Sequence, residues 1–118
     1  MSTQQLTELE RAVLSSAVAG AGDLADSLRE QLDAARVAAR TPSGVGFVTK
    51  LEVPVNLSLG DRQVDAGLPT ITGKHPQLPS GAEFVLQIKG GRLNSIEAFC
   101  YEGMWPEDES SFRLEVKG

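Results

Sequence analysis

Cysteine, histidine, aromatic residues and net positive charge are all scarce in this sequence, and each scarcity removes a class of function. A single cysteine, Cys100, cannot close an internal disulfide, so the chain must fold on its apolar core alone, as suits a reducing cytosol. One His and one Cys are too few soft ligands for zinc, so no metal site and no cofactor are expected. Lys and Arg number 11 against 16 Asp and Glu, for a net charge of −5. Nucleic-acid binding draws on clustered basic side chains and is not expected; a basic protein partner is. No apolar run approaches the ~20 residues that span a bilayer, so no membrane association is expected. The start Met1-Ser-Thr-Gln-Gln lacks the basic and apolar regions of a signal peptide, giving a cytoplasmic location. Asn56-Leu-Ser58 matches the glycosylation triplet only by chance in that setting. The glycine pairs Gly20/Gly22, Gly44/Gly46 and Gly90/Gly91 lack the lysine and the strand-to-helix context of a phosphate loop.

What is present fits one globular domain, residues 1–118, with 41% apolar and 23% charged residues. Leu6, Leu9, Val13, Leu14 and Ala17 fall at helical spacing over residues 3–18, with Ser2-Thr-Gln-Gln5 as a capping-box start and Gly20-Ala-Gly22 as the stop. Asp23 is the expected N-cap of a second helix reaching Ala39, striped by Leu24, Leu28, Leu32 and Ala35. Residues 1–40 then read as a helical hairpin and residues 45–118 as an antiparallel sheet. From Val45 to Leu59 apolar and polar residues alternate, interrupted by Pro54. That proline marks an edge strand or a junction of two strands, because it has no ladder donor. Residues 60–82 read mostly as connection, with a short strand admitted at Gln63 to Ala66. An acidic loop over 106–111 precedes a last strand carrying Phe112, Leu114 and Val116. Helices first and strands afterwards imply α+β, two helices packed on one face of about four to five antiparallel strands.

The most specific signal is Gly90-Gly91 between two alternating runs, which asks for a type I′ hairpin turn. A two-residue turn sets Lys89 opposite Arg92, Ile88 opposite Leu93, Leu86 opposite Ser95 and Phe84 opposite Glu97. On that register Glu97 sits among Phe84, Leu86, Phe99 and Tyr101, a buried acid with a raised pKa. The alternatives are that a bulge turns it outward, that Tyr101, Ser95 or a basic side chain satisfies it in place as a structural acid, or that it is a general acid or base beside Tyr101, with His75 as a further catalytic candidate. Cys100 faces away from Tyr101 and has no base beside it, as a small buried thiol would. Tyr101, Glu102, Met104 and Trp105 cluster at the hairpin end beside Glu107, Asp108 and Glu109. They form either a binding surface or a loop folded over the sheet.

The run Phe84-Val-Leu to Tyr101, followed by Trp105-Pro106, resembles a set of small uncharacterised bacterial proteins. In those, a similar hairpin leads into a Leu-Glu-Gly-Tyr-Thr-Tyr-like strand and a Trp-Pro. Leu32-Asp-Ala-Ala-Arg-Val37 and Gly44-Val-Gly-Phe47 are similar too, while Ala98 and Cys100 stand where glycine and threonine occur in the set. The resemblance covers about residues 30–106. It implies a bacterial cytosolic domain, draws attention to Glu97, Tyr101 and Trp105, and brings no activity with it. Two classes of function follow. One is a non-enzymatic interaction protein, adaptor or immunity-type, binding a basic partner through the acidic aromatic end. The other is a small enzyme or ligand-binding domain built on Glu97. A homodimer is expected from the edge that Pro54 marks.

Overall fold

A computed structural model describes residues 5–59 and 68–116. Helices α1 (Glu8–Ala19) and α2 (Ala25–Ala34) precede six strands: β1 (Arg36–Pro42), β2 (Gly46–Glu52), β3 (Ile71–His75), β4 (Leu78–Lys89), β5 (Arg92–Cys100) and β6 (Arg113–Val116). The strands form one antiparallel sheet in the order β1-β2-β5-β4-β3-β6. The fold is therefore α+β, with more strands than the alternation alone indicates. Helix α1 contacts β6, β3 and β4, and α2 contacts β5. The buried residues of helices and strands form one cluster.

The helix ends differ from expectation for local reasons. Helix α1 starts at Glu8, one turn later than its apolar stripe suggests, because Thr7 is the cap: its hydroxyl accepts from the Glu10 amide at 3.1 Å, and the Glu10 carboxylate accepts from the Thr7 amide at 2.9 Å. Of the expected start Ser2-Thr-Gln-Gln5, residues 2–4 lie outside the described residues. Asp23 is not the cap of α2; it sits in a short 3₁₀ turn, Gly22–Leu24, and Leu24 precedes the helix without a side-chain cap. Helix α2 stops at Ala34 rather than Ala39. The Arg36–Pro42 segment becomes β1 because pairing with β2 and the burial of Val37 outweigh the intrinsic helical preference of its alanines, which is the highest of any residue.

Strand β2 lies between β1 and β5 and ends at Glu52, so Pro54 marks neither an edge strand nor a junction of two strands. It opens a 3₁₀ turn at Val55–Leu57. The edge that motivated a homodimer is thus absent from this position. Residues 71–82, read as connection, hold β3 and the start of β4; the proposed strand at Gln63 to Ala66 lies outside the described residues.

The hairpin turn is as the glycine pair requires. Gly90 and Gly91 have φ of 60° and 73°, in the left-handed region. The turn is tied down from outside: the Ser58 hydroxyl donates to the Gly90 carbonyl at 2.8 Å, and Leu59 N–H to the Gly91 carbonyl at 2.9 Å. Gln31, fully buried on α2, donates to the carbonyls of Gly91 and Leu57 and accepts from Leu93 N–H at 2.8 Å. A Cβ at Gly90 would meet nothing within 4 Å, so Gly90→Val tests backbone strain without a clash. It should lower stability by about 1 to 3 kcal/mol in urea unfolding; an unchanged midpoint would contradict the turn assignment.

Beyond the turn the register departs from the simple hairpin. Lys89 pairs with Arg92 and Ile88 with Leu93, as expected, but Gln87 then pairs with Ser95, leaving Asn94 as an extra residue. This bulge shifts β5 by one position. Leu86 now faces Ile96, Phe84 faces Ala98, and Glu97 pairs with Val85 and Val48. The buried side of β5 changes parity accordingly, to Ile96, Ala98 and Cys100.

Candidate functional site

The bulge at Asn94 removes the acid from the core: Glu97 is exposed, so the expectation of a buried carboxylate at this position is overturned. Glu97→Gln should change stability by less than about 0.5 kcal/mol. A loss above 1 kcal/mol at neutral pH would contradict this placement of the side chain.

His75, expected in a solvated loop, is buried at the end of β3. Its Nδ1 accepts from Gln77 N–H at 3.0 Å and its Nε2 lies 2.7 Å from the Asp108 carbonyl, an arrangement satisfied by the neutral ring with the proton on Nε2. Phe112 packs edge-on against it at 4.8 Å. His75 and Tyr101 do line a shared open hollow of about 590 Å³, but Glu97 is not in it. With both His75 nitrogens engaged in the protein, the three weak catalytic candidates do not assemble into an acid–base site. Cys100 is buried, its thiol 3.6 Å from the Gly103 carbonyl.

The four residues of the hairpin end separate into two groups. Trp105 turns inward. Its ring meets Phe47 at 5.5 Å, Phe84 at 5.8 Å and Phe112 at 5.1 Å, and its Nε1–H donates to Glu109 Oε2 at 2.8 Å. Such aromatic pairs contribute about 0.5–1.5 kcal/mol each beyond area burial, so Trp105 is first a fold determinant. Tyr101, Glu102 and Met104 remain outside; Tyr101 is 56% and Met104 74% exposed. The Tyr101 ring rests edge-on against Phe99 at 5.6 Å. The segment is held at both ends against the β1–β2 turn, by Cys100 N–H to the Val45 carbonyl and Trp105 N–H to the Gly44 carbonyl, each 2.9 Å. Large apolar side chains are thus displayed on a short, anchored loop.

On the other side of Trp105 lies a cleft of about 610 Å³ that was not anticipated. Its polar end is built on Glu10, fully buried in the first turn of α1. The Glu10 carboxylate accepts from Arg40 Nη2 at 2.6 Å, Arg40 Nε at 2.9 Å, the Thr49 hydroxyl at 2.5 Å and the Thr7 amide at 2.9 Å. Burial pushes this carboxyl upward. The bonds from Arg40, Thr49 and Thr7, with the Arg40 charge, outweigh it and hold Glu10 below its ordinary value. The Arg40 guanidinium is raised, first by its bond to Glu10, with a further contribution from the charge of Glu109 across the cleft. Phe47, Pro42 and Trp105 supply apolar wall.

Glu10 was legible in principle. It falls four residues after Leu6 and three before Val13, so an acid stood in the buried stripe of a helix, the same anomaly sought in β5. In the acidic loop, Asp108 accepts from Ser110 N–H at 3.0 Å and from the Ser110 and Ser111 hydroxyls at 2.5 and 2.6 Å. These bonds, the Ser110 hydroxyl first, lower its pKa. No three His, Cys, Asp or Glu side chains gather as a metal site among the described residues, and no described helix is long and apolar enough to cross a membrane. No family model, curated protein or solved structure matches the chain.

Proposed function

We propose that the protein is a non-enzymatic interaction module, of adaptor or immunity type, that docks a basic protein partner at its acidic aromatic end in the bacterial cytosol. The observation that carries this reading is the exposure of Tyr101 and Met104 on an anchored loop within a stretch, residues 97–112, that holds five acids and no Lys or Arg. Exposed aromatic and methionine side chains ringed by charge of one sign supply both apolar contact area and electrostatic selection for a basic surface. The two helices, packed against one face of the sheet, leave this loop uncovered. The buried, unpaired Cys100 suits a reducing compartment.

Arrays of twelve-residue peptides, one set rich in Lys and Arg with aliphatic residues and a matched set with Asp and Glu, test the reading. The protein should bind the basic set preferentially, and Tyr101→Ser with Met104→Ser should weaken that binding at least tenfold. Equal retention on both sets, or no effect of the double substitution, would overturn it.

A further inference from the structure

Strand β1 ends the sheet, so among the described residues one side of its backbone has no neighbouring strand. The 610 Å³ cleft is lined by Val37, Ala38, Ala39 and Arg40 in succession. Successive residues of a strand point to opposite faces, so a hollow on one face would touch every second residue. The bulge at Ala38, between Val37 and Ala39, breaks that alternation: Val37 stands opposite Leu51 and Arg40 opposite Thr49, both on the face of the sheet that Glu10 meets, so the cleft lies on that face directly beside the edge of β1. An open edge beside a groove is the geometry in which an extended peptide adds to a sheet, main chain to main chain, with a side chain seated in the groove.

The charge of the groove selects that side chain. Arg40 is matched by Glu10 through two hydrogen bonds and also lies within reach of the charge of Glu109, so the lining sets two carboxylates, Glu10 and Glu109, against one guanidinium and is negative in balance. Glu109 Oε2 accepts from Trp105 Nε1–H, fixing the carboxylate beside the indole at the cleft wall. A cationic side chain with an aliphatic stem fits a lining that is apolar along Val37, Phe47 and Trp105 and negative at its end.

We infer that the β1 edge is a docking site for an extended segment of a basic partner protein, which adds as a seventh strand and places a Lys or Arg side chain in the cleft against Glu109. The inference rests on the interaction reading and adds a second contact to it, reached around Trp105 from the Tyr101–Met104 loop. The β1–β2 turn joins the two surfaces, since Gly44 and Val45 hold the exposed loop while Pro42, Gly46 and Phe47 line the cleft.

The probe is a capped nine-residue peptide of alternating Thr and Val with one central Lys, titrated into isotopically labelled protein. Controls replace the Lys by Glu or N-methylate alternate amides. The Lys peptide should bind at least tenfold more tightly than the Glu peptide, with shifts at the amides of Ala38 to Thr41 and at the Trp105 indole N–H. N-methylation should weaken it at least tenfold, and in Glu109→Gln, which keeps an acceptor for Trp105, the Lys-over-Glu preference should fall below threefold. Silent β1 amides, equal affinities, or a preference that survives Glu109→Gln would overturn the inference. So would a dimer by light scattering whose β1 amides are protected without peptide, because a second copy would then occupy the edge. If the arrays retain a basic preference that depends on Tyr101 while the β1 edge stays silent, this inference alone fails; if the basic preference is absent, the functional reading fails.

Discussion

Replacing Glu10 with alanine should destabilise the protein by about 3 to 5 kcal/mol, on the scale of breaking one side of a buried ion pair. The carboxylate joins three elements: its own helix cap at Thr7, Arg40 on β1 and Thr49 on β2. Its loss takes two hydrogen bonds from a half-buried guanidinium and the acceptor from a buried hydroxyl, and removes the capping box. Arg40→Ala should also be costly, because it leaves the acid buried with only its neutral donors. The double variant should cost clearly less than the sum, since each single change removes the same interaction. Glu10→Met with Arg40→Met should recover much of the loss, as apolar replacements of buried pairs do. Urea unfolding at neutral pH measures all four.

The sign of the pH dependence follows from the same geometry. Glu10 has a folded-state pKa below its unfolded value, near 4.3 for a free glutamate. Its contribution is therefore complete above about pH 4.3 and is lost as pH falls through the lower folded value. Glu10→Gln should flatten that acid limb relative to the parent protein. The exposed Asp108, also lowered by its bonds to Ser110 and Ser111, is common to both proteins and cancels in the difference. Equal acid limbs in the two would contradict the burial and pairing of Glu10.

Gly46→Val should abolish folding or cost about 4 kcal/mol or more, at the extreme of single substitutions. A Cβ at Gly46 would lie 1.8 Å from the Ala98 carbonyl oxygen and 2.8 Å from Phe99 Cα, both backbone. Neither can move without parting β2 from β5, and that junction also carries the Val45 and Gly44 contacts that anchor the exposed loop. Gly44→Ala is the contrast. Gly44 has φ of 84° but open space around it, so the cost should be confined to backbone strain, about 1 kcal/mol. Circular dichroism and Trp105 emission on purified variants separate the two cases; a folded Gly46→Val protein of near-parent stability would contradict the β2–β5 register.

The α+β class and the glycine-pair turn were legible because each rests on local chemistry, a period of alternation or a demand for positive φ. A bulge that turns Glu97 outward was among the alternatives, but its occurrence at Asn94 was not legible. A single extra residue leaves composition and alternation nearly unchanged, yet it exchanged the faces of Glu97 and Ala98. The end of α2 was misjudged because alanines at 38 and 39 suit a helix, and only β2, distant in sequence, makes them a strand. His75 read as a loop residue because its partners, Gln77 and the Asp108 carbonyl, come from turns that Gly and Pro announce without fixing their course. The acid that does sit in the core was visible as Glu10 in the stripe of α1, but its consequence depends on Arg40, thirty residues later.

The most direct test of the account is the methyl resonance of Met104 during titration with the most strongly retained basic peptide of the array, assigned by Met104→Leu. Met104 is 74% exposed on the loop placed at the docking surface. Its methyl signal should shift or broaden and saturate at the same peptide concentration as the global binding curve. A Met104 signal that stays fixed through saturation, while methyls of Val48 and Val85 beside Glu97 move instead, would contradict the assignment of the acidic aromatic end as the partner-binding surface.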